Sequence, residues 1–256
     1  MQLEGKSAIV TGSSSGIGRA AALALANAGA DVIVNGNSKM EAAEEVAHEI
    51  EELGRKSLAV QADVSNAEDV DRLVSNAVET LGKVDILFTN AGVFHMASIE
   101  DHSPDIWLQT LSVNLTGQFL TCQRVVPEMK KLGKGKIVNN GSIFGHQGVM
   151  GCVAYGVSKM GVHGMTRCLA AELASHKINV NAVAPGNVMT AMSDDFYLAL
   201  GNGDMEAGKQ EAVKAYPLGR LGQVDDIASA VVYFASDAAD FITGQILFVD
   251  GGYSVP

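Results

Sequence analysis

Seven short apolar runs rich in β-branched residues recur along the chain: "SAIVT" (7–11), "DVIVN" (31–35), "SLAVQ" (57–61), "VDILFT" (84–89), "KIVNN" (136–140), "INVNAVA" (178–184) and "ILFVD" (246–250). Between most of them lie Ala/Glu/Leu-rich stretches of helical periodicity, such as "GRAAALALANAG" and "MEAAEEVAHEIEELG". A strand that is apolar at nearly every position is buried on both faces, and helices returning the chain between such strands make them parallel. The pattern predicts an α/β fold, a single doubly wound domain over 1–256 with a seven-stranded parallel sheet and helices on both faces. No Pro/Gly/Ser-rich linker, low-complexity run or repeat divides the 256 residues, a length that one α/β domain can fill. The alternation lapses only over 188–222. That stretch is too long for an ordinary connection and reads as a substrate loop or lid holding one or two short helices.

Composition narrows the function classes. The chain has 18 basic against 29 acidic residues, a formal net charge of −11. That balance disfavours a nucleic-acid partner, which is met by basic patches. No apolar run approaches the roughly 18 residues that span a membrane. The start, "MQLEGKSAIVTG", reads as a first strand and not as a signal peptide. Cys122, Cys152 and Cys168 are odd in number and form no CxxC pair, so a reduced cytoplasmic compartment is expected. The six histidines show no metal-ligand spacing, and no metal is expected.

The first strand runs into "TGSSSGIGRAAALALA", a glycine pattern (Gly12, Gly16, Gly18) that opens a helix. Glycines let the backbone turn tightly and approach a pyrophosphate, and the helix N-terminus offers free N–H groups and positive partial charge. At a first strand-to-helix junction this is the context of a Rossmann-type dinucleotide site, with Ser14, Ser15 and Ile17 completing the loop. Later strand ends converge on the same edge of the sheet. Asn35, Asn37 and Ser38 follow the second run, Asp63 and Val64 the third, and Asn90, Ala91 and Gly92 the fourth. Pro185, Gly186, Val188 and Thr190 follow the sixth. Singly, each could be a turn or cap residue; together they line one edge.

"CVAYGVSKMG" places Tyr155 four residues before Lys159, about one helical turn, so both side chains share a face. Taken alone, the pair is either an acid–base device or two ordinary helix residues. In order, TGxxxGxG, NAG, a serine thirteen residues before YxxxK, and PG make the chain resemble the short-chain dehydrogenase/reductases. The resemblance is to their compact one-domain branch, which includes 3-oxoacyl-carrier-protein reductases and glucose dehydrogenases, and it runs over practically the whole chain. It implies that Tyr155 is the general acid/base and that Lys159 lowers the phenol's pKa and binds the nicotinamide ribose. Ser142 would hold the substrate oxygen, and Asn114 would support a proton-relay water through its helix. It also implies a cytoplasmic homotetramer, with the helices around 104–131 and 153–175 packed across one interface and the C-terminal segment across another. The chemistry agrees, because hydride transfer to a ketone builds negative charge on oxygen that must receive a proton.

Cofactor choice turns on the end of the second run, where an acidic residue would bind the ribose of NAD and repel the 2′-phosphate of NADP. Gly36, Asn37 and Ser38 stand there, followed by Lys39, which leans toward NADP. Ser15 stands where many NADP-using members carry a base, which leans toward NAD, so NADP is expected to be slightly preferred and either form used. Ser142, Phe144, Gln147, Tyr155 and Met192 are expected to face a small-molecule substrate, with Phe94, Met150 and Phe196 nearby. The expected activity is reversible NAD(P)(H)-dependent interconversion of a secondary alcohol and a ketone, on a small carbonyl or a sugar-like substrate. The rivals are a 3-oxoacyl thioester reductase and a non-catalytic dinucleotide sensor or scaffold.

Overall fold

The computed structural model describes residues 2–255. Seven strands form one wholly parallel sheet: β1 (Ser7–Val10), β2 (Asp31–Gly36), β3 (Ser57–Gln61), β4 (Ile86–Thr89), β5 (Gly135–Asn140), β6 (Ile178–Pro185) and β7 (Ile246–Val249). Their order is β3-β2-β1-β4-β5-β6-β7. The order reverses between β1 and β4, and a crevice opens at such a reversal beyond the carboxyl ends of the strands.

Alternation along each strand divides the core in two. Ala8, Val10, Val32, Val34, Ile86 and Phe88 face one layer, with helices α1 (Gly16–Asn27), α2 (Met40–Glu52) and α9 (Val224–Ala235). Ile9, Ile33, Leu87, Ile137 and Val180 face the other, with α3 (Ala67–Leu81), α5 (Gly117–Leu132) and α6 (Val153–Leu173). The helices begin where the chain supplies acceptors. Asn66 accepts from the N–H groups of Glu68 and Asp69 at the start of α3, and Ser103 caps α4 (Pro104–Leu111) ahead of a proline. Between α4 and α5 the helix widens into a five-residue π turn, Ser112–Thr116.

Residues 188–222 form a tethered excursion. Its ends meet in a bridge between Val188 and Gly222, with Met189 N–H donating to the Gly222 carbonyl at 3.0 Å. Within it lie a 3-10 turn (Ala191–Ser193), α7 (Asp194–Leu200) and α8 (Met205–Val213). These elements close on a small core of their own, Tyr197, Ala212, Tyr216 and Leu221, backed by Tyr253 of the C-terminal segment. Among the described residues, no helix is long and apolar enough to cross a membrane.

Candidate active site

The glycine loop is held by side chains from its neighbours. Gly12 has φ +61, and a Cβ there would stand 2.7 Å from the Ala91 Cα. At Gly18 a Cβ would stand 2.2 Å from the Gly12 carbonyl oxygen and 2.5 Å from Asn90 Nδ2. Only glycine permits this approach of α1 to the loop. Asn35, buried in β2, accepts from Gly12 N–H at 3.0 Å, and its Nδ2 donates to the carbonyls of Gly36, Val60 and Ala62. Its amide is thus used to shape the loop. Asn90 Nδ2 donates to the Thr11 and Gly12 carbonyls at 3.1 and 3.0 Å, and Thr11 Oγ1 accepts from the N–H groups of Asn90 and Ala91. The ends of β1, β2 and β4 are therefore one bolted unit.

Above this unit lies a cleft of about 780 Å³. Its wall includes Gly12, Ser14, Ser15, Gly16 and Ile17 from the loop, then Asn35, Asn37, Ser38, Asp63 and Val64. From the later strand ends it takes Asn90, Ala91, Gly92, Pro185, Gly186, Val188 and Thr190. Gly18 lies beneath the loop and outside the wall. The residues fit a dinucleotide: a glycine cradle that side chains would fill, an α1 N-terminus to which Ser15 gives no side-chain cap, and polar strand ends in line. Lys39 also lines the cleft, and no carboxylate occurs from Gly36 to Lys39.

Ser142 and Tyr155 line both this cleft and a second, smaller cavity of about 70 Å³. Phe144 and Met192 line the second cavity, whereas Gln147 lies outside both walls. Ser142 stands at the end of β5 and caps a 3-10 turn, accepting from Phe144 N–H at 3.1 Å. Tyr155 lies in the first turn of α6, clasped edge-on by Phe94 and Phe144 with ring centroids 4.9 and 5.9 Å away. One turn on, the buried Lys159 donates from Nζ to the Asn140 carbonyl at 2.7 Å.

Asn114 sits fully buried in the π turn. Its Oδ1 accepts from Val93 N–H at 2.7 Å, and its Nδ2 donates to the Val93 carbonyl at 2.9 Å and toward Ser158 Oγ at 3.3 Å. Ser158 in turn donates to the Tyr155 carbonyl. Asn114 thus ties the 91–93 strand end to α6 and does not line either cavity.

Burial pushes the Tyr155 phenol up to about 12, with a hydrogen bond to Ser142 working the other way. Burial also pushes the Lys159 ammonium down to about 7. The ammonium lies 5.5 Å from the ring centroid and bonds Asn140, so desolvation outweighs attraction at both groups.

Several residues of the site are not singled out by the sequence, among them Ser193 and Asn187 on the cavity walls, Asn140 and His163. Asn140 anchors Lys159 and donates to Asn90 Oδ1 at 3.0 Å; its place at a strand end two residues before Ser142 was the available signal. His163, one turn beyond Lys159, lies under the Ser142 turn. A Cβ on Gly141 or Gly145 would come within 2.5 or 2.6 Å of its ring. Nothing in its spacing marks that role.

A family profile described as Enoyl-(Acyl carrier protein) reductase matches residues 12–254. The 3-oxoacyl-[acyl-carrier-protein] reductase FabG of Staphylococcus aureus is 40% identical over 247 residues, 96% of this chain and 97% of that protein. The chain belongs to the short-chain dehydrogenase/reductase family. The enzyme is also 39% identical to L-rhamnose 1-dehydrogenase (NAD(P)(+)) of Sphingomonas sp., across 99% of this chain and 98% of that one. The crystal structure of levodione reductase superposes with a TM-score of 0.93 at 30% identity, over 98% of both chains. The enzyme is an NAD(P)(H)-dependent oxidoreductase that interconverts a secondary alcohol and a ketone, acting on a small molecule.

Proposed function

We propose that reduction and oxidation occur at the junction of the two cavities, with Tyr155 as general acid/base and Ser142 donating to the substrate oxygen. The observation that carries this reading is that Ser142, just past β5, and Tyr155, in the first turn of α6, bring a hydroxyl and a phenol into both walls at once, while Ser193, the other hydroxyl shared by the two walls, is turned to the Val188 carbonyl. A cofactor in the large cleft and a carbonyl in the small cavity then share them. When bound, the nicotinamide supplies or accepts hydride and, oxidised, adds a positive charge that favours phenolate. A buried phenol pushed up to about 12 is the acid that neutralises an alkoxide in the reducing direction. Ser142 stabilises the same developing charge by hydrogen bonding. Lys159, fixed by Asn140 and with its pKa lowered by burial, takes the ribose and passes protons. Asn114 is a positioning residue that holds Val93 and α6 in register.

The glycine loop, Asp63, Asn90 and Gly186 are the proposed cofactor contacts, and NADP(H) is the proposed preference. Asn37, Ser38 and the cation of Lys39 receive the adenosine end without a carboxylate among them to repel a 2′-phosphate. Residues 188–222 act as the lid, bearing Met192 on the cavity wall. Exposed Leu108, Phe119, Val157 and Met160 on α4, α5 and α6, with fully exposed Phe241 near the β7 edge, support a homotetramer. Light scattering that reports a monomer at micromolar concentration would count against it.

The deciding experiment is a ketone screen with NADPH and NADH, followed by nicotinamide absorbance, with Tyr155→Phe beside the wild type. We expect Tyr155→Phe to lose roughly a hundred- to ten-thousandfold in kcat while binding NADPH unchanged. Full turnover by the variant would refute the assignment. A 3-oxoacyl thioester reductase is the second reading, favoured by the identity to the Staphylococcus aureus protein.

A further inference from the structure

The small cavity carries its own chemical signature. Its wall holds no Asp, Glu, Lys, Arg or His. Phe94, Phe144, Phe196 and Met192 share this wall with Tyr155, and the Phe94 and Phe144 rings meet the tyrosine ring at 89° and 88°. The polar side chains of the wall are Ser142, Tyr155, Asn187 and Ser193. The first two serve the reacting oxygen. Ser193 Oγ donates to the Val188 carbonyl at 2.9 Å, and Asn187 N–H donates to Tyr216 Oη at 2.6 Å, leaving the Asn187 amide as the polar group at hand for the rest of a ligand. His95 and His146, beside Phe94 and close to Phe144 in the chain, lie outside the wall. The charged residues nearest in sequence to Phe94, Met192 and Phe196 are acidic: Glu100 and Asp101, Asp194 and Asp195.

We infer that the substrate is an uncharged ketone, or its alcohol, with a compact aromatic or alicyclic hydrocarbon face beside the reacting carbon. The inference rests on the proposed reading that Ser142 and Tyr155 hold that oxygen. A carboxylate or phosphate entering this wall loses water and meets no cation, and the acidic flanks oppose its approach. A polyol brings several hydroxyls to a wall with one spare amide, and each left unpaired is penalised. A carrier-borne thioester meets both obstacles, since its carrier and phosphate are anionic and Asp194 and Asp195 directly follow Ser193 of the wall in the chain. A flat hydrocarbon face gains dispersion and edge-to-face contact with the three phenyl rings.

The test separates binding from turnover. The NADPH complex of Tyr155→Phe is titrated calorimetrically with 1-phenylbutane-2,3-dione and with phenylpyruvate, which share a benzyl ketone and differ in whether the adjoining group is an acetyl or a carboxylate. We expect the dione to bind at least tenfold more tightly, and Phe196→Ala, added to the same background, to weaken the dione by about tenfold while leaving NADPH affinity unchanged. Wild-type kcat/KM is then compared for the dione, phenylpyruvate, acetoacetyl-coenzyme A and, in oxidation with NADP, an aldose. A hundredfold or greater preference for the dione is expected. Equal or tighter binding of phenylpyruvate, or a preference for the thioester, oxoacid or aldose, overturns the inference. Selective dione binding without turnover by the wild type would leave the inference standing and sink the assignment of Ser142 and Tyr155.

Discussion

His163 gives the sharpest quantitative expectation. Its ring is buried in α6 beneath Gly141 and Gly145, and its Nε2 has no hydrogen-bond partner. Burial is the largest cause that lowers its pKa, from an ordinary 6.5 to about 4. The neighbouring cations, Arg167 and Lys159 on α6 and His146 on the turn, act in the same direction, opposed by a hydrogen bond with the Gly145 backbone. The folded state therefore keeps the imidazole neutral where the unfolded chain would protonate it. Between about pH 6.5 and pH 4 the unfolded state binds more protons, so the stability present above about 6.5 is lost as pH falls. At about 1.4 kcal/mol per pH unit, the loss is roughly 3 kcal/mol.

The perturbation is His163→Leu, which keeps a comparable volume and removes the titration. Urea denaturation at fixed protein concentration, repeated from neutral pH down to about pH 4, gives the stability of wild type and variant at each pH. The difference between the two proteins should change by about 3 kcal/mol across the range, with the wild type losing more. The midpoint of that change should lie below the ordinary histidine range. A difference that stays flat within about 0.5 kcal/mol would refute the reasoning, because it would mean that His163 titrates equally in both states.

Three further expectations follow from the same geometry. In Lys159→Met the buried amine is gone; since the wild-type amine falls from 10.5 to about 7 on folding, wild type should gain stability relative to the variant as pH rises from about 7 toward 10, by urea midpoints. Asn114→Ala strips both partners from the Val93 backbone inside a fully buried site and should cost about 2–5 kcal/mol in denaturant unfolding; a loss under about 0.5 kcal/mol would show that the grip on Val93 is dispensable. Asn37→Asp, at an exposed place on the cleft wall, should lower kcat/KM for NADPH relative to NADH by roughly tenfold or more through repulsion of the 2′-phosphate, and an unchanged ratio would reject that end of the cleft as the phosphate site. Asn37 is the better place for this test than Gly36, whose added Cβ would press within 3.1 Å of the Ala43 methyl.

Much of this architecture is readable before any coordinates are seen, for a physical reason. A parallel strand buried on both faces has to be apolar along its length, so β2, β5 and β6 announce themselves within a residue or two. The run 84–89 starts two residues early, because Asp85 is not a strand residue: its carboxylate accepts from Ser7 N–H at 3.0 Å and pairs with Lys83 at 2.9 Å. The glycines are equally legible, since their absent side chains leave room that no other residue could. Roles carried by contacts across long sequence separations are not legible. Asn35 and Asn90 look like cofactor residues on the sheet edge, yet their amides are used to shape the glycine loop 23 and 78 residues away. The grip of the Asn114 amide on Val93, 21 residues away, is likewise invisible in the sequence.

The Tyr155–Lys159 pair shows why such contacts decide chemistry as well as position. Spacing places the two groups on one face and leads to the expectation that the cation lowers the phenol. That outcome depends on a balance between attraction, which falls with distance, and desolvation, which does not. At 5.5 Å, with the ammonium turned to Asn140 and two phenyl rings around the tyrosine, desolvation prevails for both groups. The same rings that raise the phenol also form the wall of the small cavity. In the proposed reading, apolar enclosure therefore links two properties of the site: it keeps Tyr155 protonated for delivery to an alkoxide, and it favours a ligand with a hydrocarbon face. Replacing Phe94 by a polar residue should loosen both together, lowering the tyrosine pKa and weakening discrimination against charged ketones. A variant that altered only one of the two would break the link.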